Sequence, residues 1–180
     1  MYGDNEIDEN KRVVTTSSIE TDLGMMIAAA TDNGICLFEF ADSKRIGLEM
    51  RQLENSFQAV LVQGVHPHID KLKQQVGQYF KGELKNFDIP LDLVGTEFQK
   101  QVWLSLLKIP YGCTIPYAKQ AELVGRPTAV RAVANANGQN KISIILPCHR
   151  VIGADGTLTG YGGGIWRKRK LLDLEEQNRL

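Results

Sequence analysis

The sequence predicts an α+β fold: a small domain of antiparallel strands and helices, followed by a mainly helical, winged-helix-like domain. Three features support this prediction. Two apolar stretches flank Asp32-Asn33-Gly34, a typical hairpin turn. Apolar residues then recur at helical spacing between residues 67 and 81. Residues 117–137 form two short helical segments joined by a turn, the pattern of a helix-turn-helix.

The N-terminal half should contain both strands and helices. We expect strands around residues 13–16, 25–30, 35–40 and 59–62, and helices over 44–55 and 67–81. Residues 1–12 are polar and are predicted to be disordered. His66 and His68 have no further ligand nearby, so a metal site there is not expected. Residues 82–95 form a linker, and we place a support domain at 1–90 and a second domain at 91–180.

The second domain opens with a capping box, Thr96-Glu97-Phe98-Gln99, which begins a helix. In the helix-turn-helix, Gly125 ends the first helix and Pro127 suits the first turn of the second, which continues from Thr128 to about Asn137. This second helix is rich in alanine, and Arg131 is its one long charged side chain. A helix that reads bases in the major groove carries several long polar side chains. The composition therefore favours close approach to a narrow groove with Arg131 as a wedge, although an ordinary helical hairpin is the alternative.

The charge is distributed unevenly. Residues 1–99 carry a net charge of −7, whereas residues 100–170 carry +9. A basic half of this kind indicates a polyanion partner such as nucleic acid. Two solvated faces that attract each other are the alternative.

Composition also bears on location and cofactors. No apolar run approaches the roughly 18 residues of a membrane span, and the acidic N-terminus does not resemble a signal peptide. Cys36, Cys113 and Cys148 form neither a disulfide framework nor a CxxC metal pair. We therefore expect a cytoplasmic protein with no metal and no cofactor.

The candidate reactive group is Cys148, which an apolar run at 142–147 precedes. We expect this run to be extended and rigidly held. His149 can accept a proton, and the charge of Arg150 favours a thiolate. Adjacent residues on a strand face opposite ways, so His149 is expected to reach the sulfur through a water or a bend. Inert packing is the alternative for any single cysteine.

The segment Pro147-Cys148-His149-Arg150-Val151-Ile152, with Asn140 upstream, resembles the active-site segment of the O6-alkylguanine-DNA alkyltransferases (methylated-DNA–protein-cysteine methyltransferases). The glycine-rich stretch 156–164, the pair Arg167-Lys168 and Glu175 are similar too. So is the helix-turn-helix, which ends in Ala129-Val130-Arg131-Ala132-Val133. The resemblance is close over residues 95–176, whereas the N-terminal half matches only in length and in its strand-then-helix order.

The resemblance implies a role for each matching residue. Cys148 accepts the alkyl group, His149 takes the thiol proton through a water, Glu175 holds the imidazole, and Asn140 braces the turn. The residues implied in substrate binding are Tyr117, Val151, Tyr161 and Gly162, with Tyr117 donating to the flipped guanine as its O6 becomes a leaving group. Those implied in DNA binding are Thr128, Arg131, Ala132 and Arg150, with Arg131 replacing a base flipped from the stack.

The implied activity is single-turnover repair of O6-alkylguanine in double-stranded DNA by a monomer without a cofactor, with O4-alkylthymine as a second candidate substrate. The zinc ligands near the start of some members have no counterpart here, and Lys141 and Ser143 stand where some members have prolines. Two other classes remain open on the residues alone. One is a non-catalytic DNA-binding regulator with a helix-turn-helix, and the other is a Cys–His hydrolase.

Overall fold

The computed structural model describes residues 11–180. Residues 1–10, which the sequence predicts to be disordered, lie outside the described part of the chain. The prediction of disorder is wrong at residue 12, because Arg12 begins the first strand and pairs with Ala59. The first strand is thus held by backbone pairing from its first residue.

The N-terminal half forms a four-stranded sheet in the order β3-β2-β1-β4. Its strands are β1 (Arg12–Thr21), β2 (Gly24–Thr31), β3 (Gly34–Phe40) and β4 (Ala59–Gln63). The first three are antiparallel, and β2 and β3 meet at the predicted two-residue turn. The fourth strand, β4, runs parallel to β1, a direction that the sequence did not specify. A helix separates β3 from β4, and a crossover of this kind allows parallel pairing.

Two helices belong to this half, α1 (Ile46–Phe57) and α2 (Pro67–Phe80). Both were expected, and α2 ends within one residue of the prediction. Its apolar stripe is buried and consists of Ile69, Leu72, Val76 and Tyr79. His66 caps α2: its Nδ1 accepts a hydrogen bond from the His68 N–H at 3.1 Å, and its Nε2 lies 3.2 Å from Asp32. The His66–His68 pair therefore has a structural role at the start of the helix.

The C-terminal half contains α3 (Glu97–Ser105), α4 (Tyr117–Leu123), α5 (Val130–Gly138) and α6 (Ile165–Gln177). A parallel pair of two-residue strands, β5 (Ile115–Pro116) and β6 (Val151–Ile152), completes the winged-helix-like arrangement. The predicted capping box is present at the start of α3. Helix α5 begins two residues later than predicted, because a turn closes between Arg126 and Ala129.

Helices α4 and α5 form the predicted helix-turn-helix. The side-chain amides of Gln120 and Asn137 bond each other in both directions, and both are buried. The Gln120 amide also donates to the Val102 carbonyl in α3. Buried amides need such partners, so this network fixes the orientation of α5 relative to α3 and α4.

The two halves share a continuous interface along the edge of β3. The Phe38 N–H donates to the Lys141 carbonyl at 2.8 Å, and the Ser143 N–H donates to the Phe38 carbonyl at 2.7 Å. On α6, the Arg167 guanidinium binds both carboxylate oxygens of Asp42. The N-terminal sheet therefore supports the backbone that leads to Cys148. None of the helices in the described part of the chain combines the length and hydropathy needed to cross a bilayer.

Candidate active site

Cys148 begins a short 3-10 turn over Cys148–Arg150. The expectation of an extended segment before it is wrong, because residues 142–147 fold back on themselves. Ile144 has a φ of 71°, in the left-handed region, and the Cys148 N–H donates to the Leu146 carbonyl at 2.8 Å. A β-branched residue adopts this conformation only where its surroundings require it. The turn is therefore held by its neighbours.

Asn140 supplies much of that constraint. Its Nδ2 donates to the Leu146 carbonyl at 2.9 Å, and its Oδ1 accepts from the Ile142 N–H at 2.9 Å. The same Nδ2 lies 3.4 Å from the Cys148 Sγ. One buried amide thus spans the turn and also contacts the sulfur. A hydrogen bond to sulfur favours the thiolate over the thiol.

Glu175 lies behind Cys148 at the centre of a buried polar cluster. Its Oε1 is 2.7 Å from the His149 Nε2, and both oxygens accept hydrogen bonds from Arg150, each at 2.9 Å. Tyr79 in α2 donates to Oε1 at 2.8 Å, and the Gly112 N–H donates to Oε2 at 3.2 Å. Each oxygen therefore has several donors, and the buried carboxylate is fully satisfied.

The prediction that Arg150 contacts DNA is wrong. Only 7% of Arg150 is exposed, and its Nη1 donates to the Ile109 carbonyl at 2.8 Å. Burial of a guanidinium requires a carboxylate partner, which Glu175 provides. Arg150 is therefore a component of the Glu175 cluster.

Burial and neighbouring groups together set the protonation states of Glu175 and His149. Burial acts to raise the pKa of Glu175, but hydrogen bonds from His149 and Arg150, together with the charge of Arg150, prevail and hold it well below its usual range. Burial lowers the pKa of His149, so the ring is neutral at pH 7 and donates from Nε2 to Glu175. Nδ1 then remains as an acceptor, and it is buried with no hydrogen-bond partner among residues 11–180. His149 is therefore placed to take a proton at Nδ1.

No hydrogen bond joins His149 directly to the Cys148 sulfur within residues 11–180. Burial raises the pKa of the Cys148 thiol to about 11. The resting thiol is therefore protonated at pH 7. Its activation requires transfer of the proton to a base such as His149 through a bridging molecule.

A pocket of about 480 Å³ opens onto the sulfur. This volume is in the range of small-molecule sites. Its lining includes Tyr117, Cys148, Tyr161 and Gly162, so three of the four predicted substrate residues lie around the thiol. Val151 is the exception: it is fully buried outside the lining, and its carbonyl accepts a hydrogen bond from the Lys168 Nζ at 2.7 Å.

A second, open depression of about 790 Å³ runs along α5. Three predicted DNA-binding residues, Thr128, Arg131 and Ala132, lie along it and are exposed. Ala134 lines both this depression and the cysteine pocket. The surface of α5 therefore leads directly to the opening above Cys148.

Two residues that support the site were not singled out for that role from the sequence. Tyr79 comes from the N-terminal half, and no local pattern connects it to Glu175. Lys168 is fully buried, and its Nζ donates to the carbonyls of Val151 and Thr159 at 2.7 and 3.1 Å. A lysine inside a basic run is normally solvated, so only its helical phase next to buried Leu171 could have indicated burial.

We expect Lys168→Met to slow reaction at Cys148 about tenfold. The buried Val151 carbonyl loses its donor at a cost of about 1–3 kcal/mol, and the Thr159 carbonyl keeps only the Tyr117 hydroxyl among its two donors, which loosens the loop that carries Tyr161. The measurement is the rate of alkylation of Cys148 by free O6-benzylguanine. Lys170→Met, at an exposed position two residues away, is the matched control. Equal rates for the two variants would contradict a positioning role for Lys168.

The Cys148 thiol lies beside the buried His149–Glu175 pair, in a pocket next to the helix-turn-helix. This arrangement defines a class of proteins that bring a cysteine nucleophile to a nucleic acid. Comparisons with known proteins agree with this class. Residues 97–177 match the family "6-O-methylguanine DNA methyltransferase, DNA binding domain". Residues 14–93 match "6-O-methylguanine DNA methyltransferase, ribonuclease-like domain".

Relatives match along most of the chain. The methylated-DNA–protein-cysteine methyltransferase of Methanosarcina barkeri is 42% identical over 161 residues, which cover 89% of this chain and 96% of the relative. That of Mycobacterium tuberculosis is 62% identical over 102 residues, which cover 57% of this chain and 62% of the relative. A crystal structure of M. tuberculosis OGT in complex with DNA has a TM-score of 0.80 and 41% identity, covering 92% of this chain and 94% of that one. The chain belongs to the methylated-DNA–protein-cysteine methyltransferase family.

Proposed function

We propose that the protein repairs O6-alkylguanine in double-stranded DNA by transferring the alkyl group to its own Cys148, once per molecule. One observation carries this proposal: the pocket above Cys148 and the exposed depression along α5 share Ala134. DNA bound along α5 can therefore deliver an extruded base to the thiol without a rearrangement of the fold.

The surface of α5 suits the minor groove. Its exposed side is built from small residues, with Arg131 as the single long cation. Small side chains allow the backbone of a helix to approach closely, and an inserted side chain can replace a flipped base in the stack. An O6-alkylguanine pairs poorly, so its extrusion costs less than that of guanine. This difference gives selectivity for damaged bases without base-edge contacts.

The transfer follows from the arrangement around Cys148. The thiol proton passes through a water to the His149 Nδ1, and Glu175 stabilises the imidazolium. The thiolate attacks the alkyl carbon, so a carbon–sulfur bond forms and the carbon–O6 bond breaks, with its electron pair moving to O6. The Tyr117 hydroxyl, which lines the pocket, donates a proton to the guanine, and His149 returns the thiol proton to the tyrosinate.

The product is a thioether, which has no good leaving group, so each molecule acts once. The reaction needs no cofactor, since the sulfur is both nucleophile and final acceptor. We also propose that the protein acts as a monomer. A thiol that must stay reduced until use is suited to a reducing compartment, and we place the protein in the cytoplasm.

The DNA product tests the proposal. A duplex with one O6-methylguanine is incubated with excess protein and digested to nucleosides. In direct reversal the strand stays intact until digestion, and digestion then yields unmodified deoxyguanosine in place of the lesion. Release of a free methylated base, or an abasic site, would instead indicate excision.

We expect Arg131→Ala to slow repair of the duplex by about tenfold or more, while reaction with free O6-benzylguanine stays within about twofold of the unsubstituted protein. The reason is that only the duplex requires a side chain to hold the gap left by a flipped base, a step worth a few kcal/mol. Single-turnover rates with both substrates provide the measurement. Arg51→Ala, which removes an exposed arginine from α1, is the control. Equal slowing with both substrates would contradict the role of Arg131 as a wedge.

A further inference from the structure

A second buried carboxyl group lies beside the pocket and takes no part in the Glu175 cluster. Glu39, in β3, is 2% exposed. Its Oε1 accepts a hydrogen bond from the Phe40 N–H at 2.8 Å, and the Ser143 hydroxyl lies 3.3 Å from both carboxyl oxygens. Its Oε2 is 3.7 Å from the position that a Cβ on Gly162 would take. Glu39 therefore lies directly behind the part of the pocket wall formed by Gly162.

The titratable and charged groups that face Glu39 come from four parts of the chain. They are Glu49 in α1, Cys148, Tyr161 in the pocket loop and Arg167 in α6. Only Arg167 is a cation, and both of its terminal nitrogens are bound to Asp42. Within residues 11–180, no cation lies at ion-pair distance from Glu39. The carboxyl group is thus buried without a counter-charge.

A buried carboxyl group without a cation favours its neutral form. Burial, together with the nearby Glu49, raises the pKa of Glu39 to about 8. In the neutral form the group can donate as well as accept, which suits contact with a serine hydroxyl. In the ionised form it places a negative charge near Cys148, and this charge raises the pKa of the thiol.

We propose that Glu39 is a positioning residue that acts in its neutral form: the carboxylic acid supports Ser143 and the pocket wall, whereas its ionisation opposes formation of the Cys148 thiolate. The N-terminal half thereby restrains the rise in Cys148 reactivity at alkaline pH. The consequence for DNA repair rests on the proposed function, but the effect on thiol reactivity does not.

The test is the pH dependence of Cys148 alkylation by iodoacetamide, read from the mass of the Cys148 peptide between pH 6.5 and 9. The probe needs no DNA and no alkylguanine. The unsubstituted protein should show a rate that rises with pH, but less steeply once Glu39 ionises near pH 8. Glu39→Gln, which resembles the neutral acid, should react at an equal rate at pH 6.5 and about threefold to tenfold faster at pH 9, because unit charges interact strongly at short range in a protein.

Glu20→Gln removes an exposed carboxylate and serves as the control, with the profile of the unsubstituted protein expected. A purely structural role for Glu39 would lower the rate of Glu39→Gln by the same factor at every pH. A constant ratio across the range would therefore overturn the proposal.

A second measurement does not depend on the variant. The carboxyl carbon of Glu39 is followed by 13C NMR in the unsubstituted protein, and we expect a titration midpoint near the raised pKa of about 8. A midpoint below pH 6 would overturn the proposal. If the protein fails to repair DNA while both results hold, the proposed function fails and the inference about Glu39 stands.

Discussion

Replacement of Cys148 by alanine is expected to abolish alkyl transfer and to leave binding of the damaged duplex within about threefold of the unsubstituted protein. The sulfur is the only strong nucleophile in the pocket, whose other lining side chains are neutral hydroxyl, amide or apolar groups. The residues of α5 that we propose to contact DNA are untouched by the change. Transfer of a labelled methyl group and a gel-shift titration measure the two properties.

Cys36 and Cys113 provide matched controls. Cys36 is buried in β3, and burial raises the pKa of its thiol to about 12, so Cys36→Ala should transfer at the normal rate once folded. Cys113→Ala should behave the same way. Sequence-specific binding to undamaged DNA, unaffected by Cys148→Ala and accompanied by no transfer in any variant, would favour the regulator instead.

Glu175→Gln is expected to reduce the free energy of unfolding by about 3–5 kcal/mol, because it leaves the buried Arg150 without its carboxylate. It should also slow reaction at Cys148, since a neutral amide stabilises the His149 imidazolium less than a carboxylate does. Urea denaturation and the rate of alkylation by O6-benzylguanine measure the two effects. Glu176→Gln, at the exposed neighbouring position, is the control.

The difference in the free energy of unfolding between Glu175→Gln and the unsubstituted protein should depend on pH in a defined direction. The pKa of Glu175 is depressed in the folded protein, so the stability that it contributes is present above its unfolded value of about 4.3 and is lost as the pH falls below that value. The gap in stability between Glu175→Gln and the unsubstituted protein should therefore shrink from about pH 4.5 downward. A gap that stays constant between pH 6 and pH 3 would show that the carboxylate charge is not what stabilises the cluster.

Local chemistry accounts for the elements that were predicted well. The turn at Asp32-Asn33-Gly34, the stripe of α2 and the capping box at Thr96 each depend on residues within a few positions of one another. Such signals specify backbone conformation before any tertiary contact forms. The helix-turn-helix was predicted for the same reason, with its second helix displaced by two residues.

Long-range contacts account for the elements that were missed. The parallel pairing of β4 joins residues about 45 positions apart, and nothing local distinguishes it from antiparallel pairing. The turn before Cys148 depends on Asn140, which spans it, and on β3, which pairs with its start. An apolar run by itself predicts a strand, and the extended segment was predicted on that local pattern.

The candidate site shows the same division between local signals, which the sequence reveals, and long-range contacts, which it does not. The resemblance singled out Cys148 and Asn140, which contact each other, and His149 and Glu175, which are also in contact. It did not reveal that Arg150 turns inward to Glu175, because charge alone suggests a solvated side chain. The contributions of Tyr79 and Glu39 come from the other half of the chain, more than 90 residues from their partners. Only the folded chain places these groups beside the pocket.

The most direct test of the central claim is intact-mass and peptide mass spectrometry after the protein is mixed with an excess of duplex containing O6-methylguanine. Single-turnover transfer predicts one added methyl group per protein, on the Cys148 peptide, with no further increase at higher DNA concentration or longer time. An unmodified protein that still binds the lesion tightly, or one that repairs many lesions without gaining mass, would contradict the account.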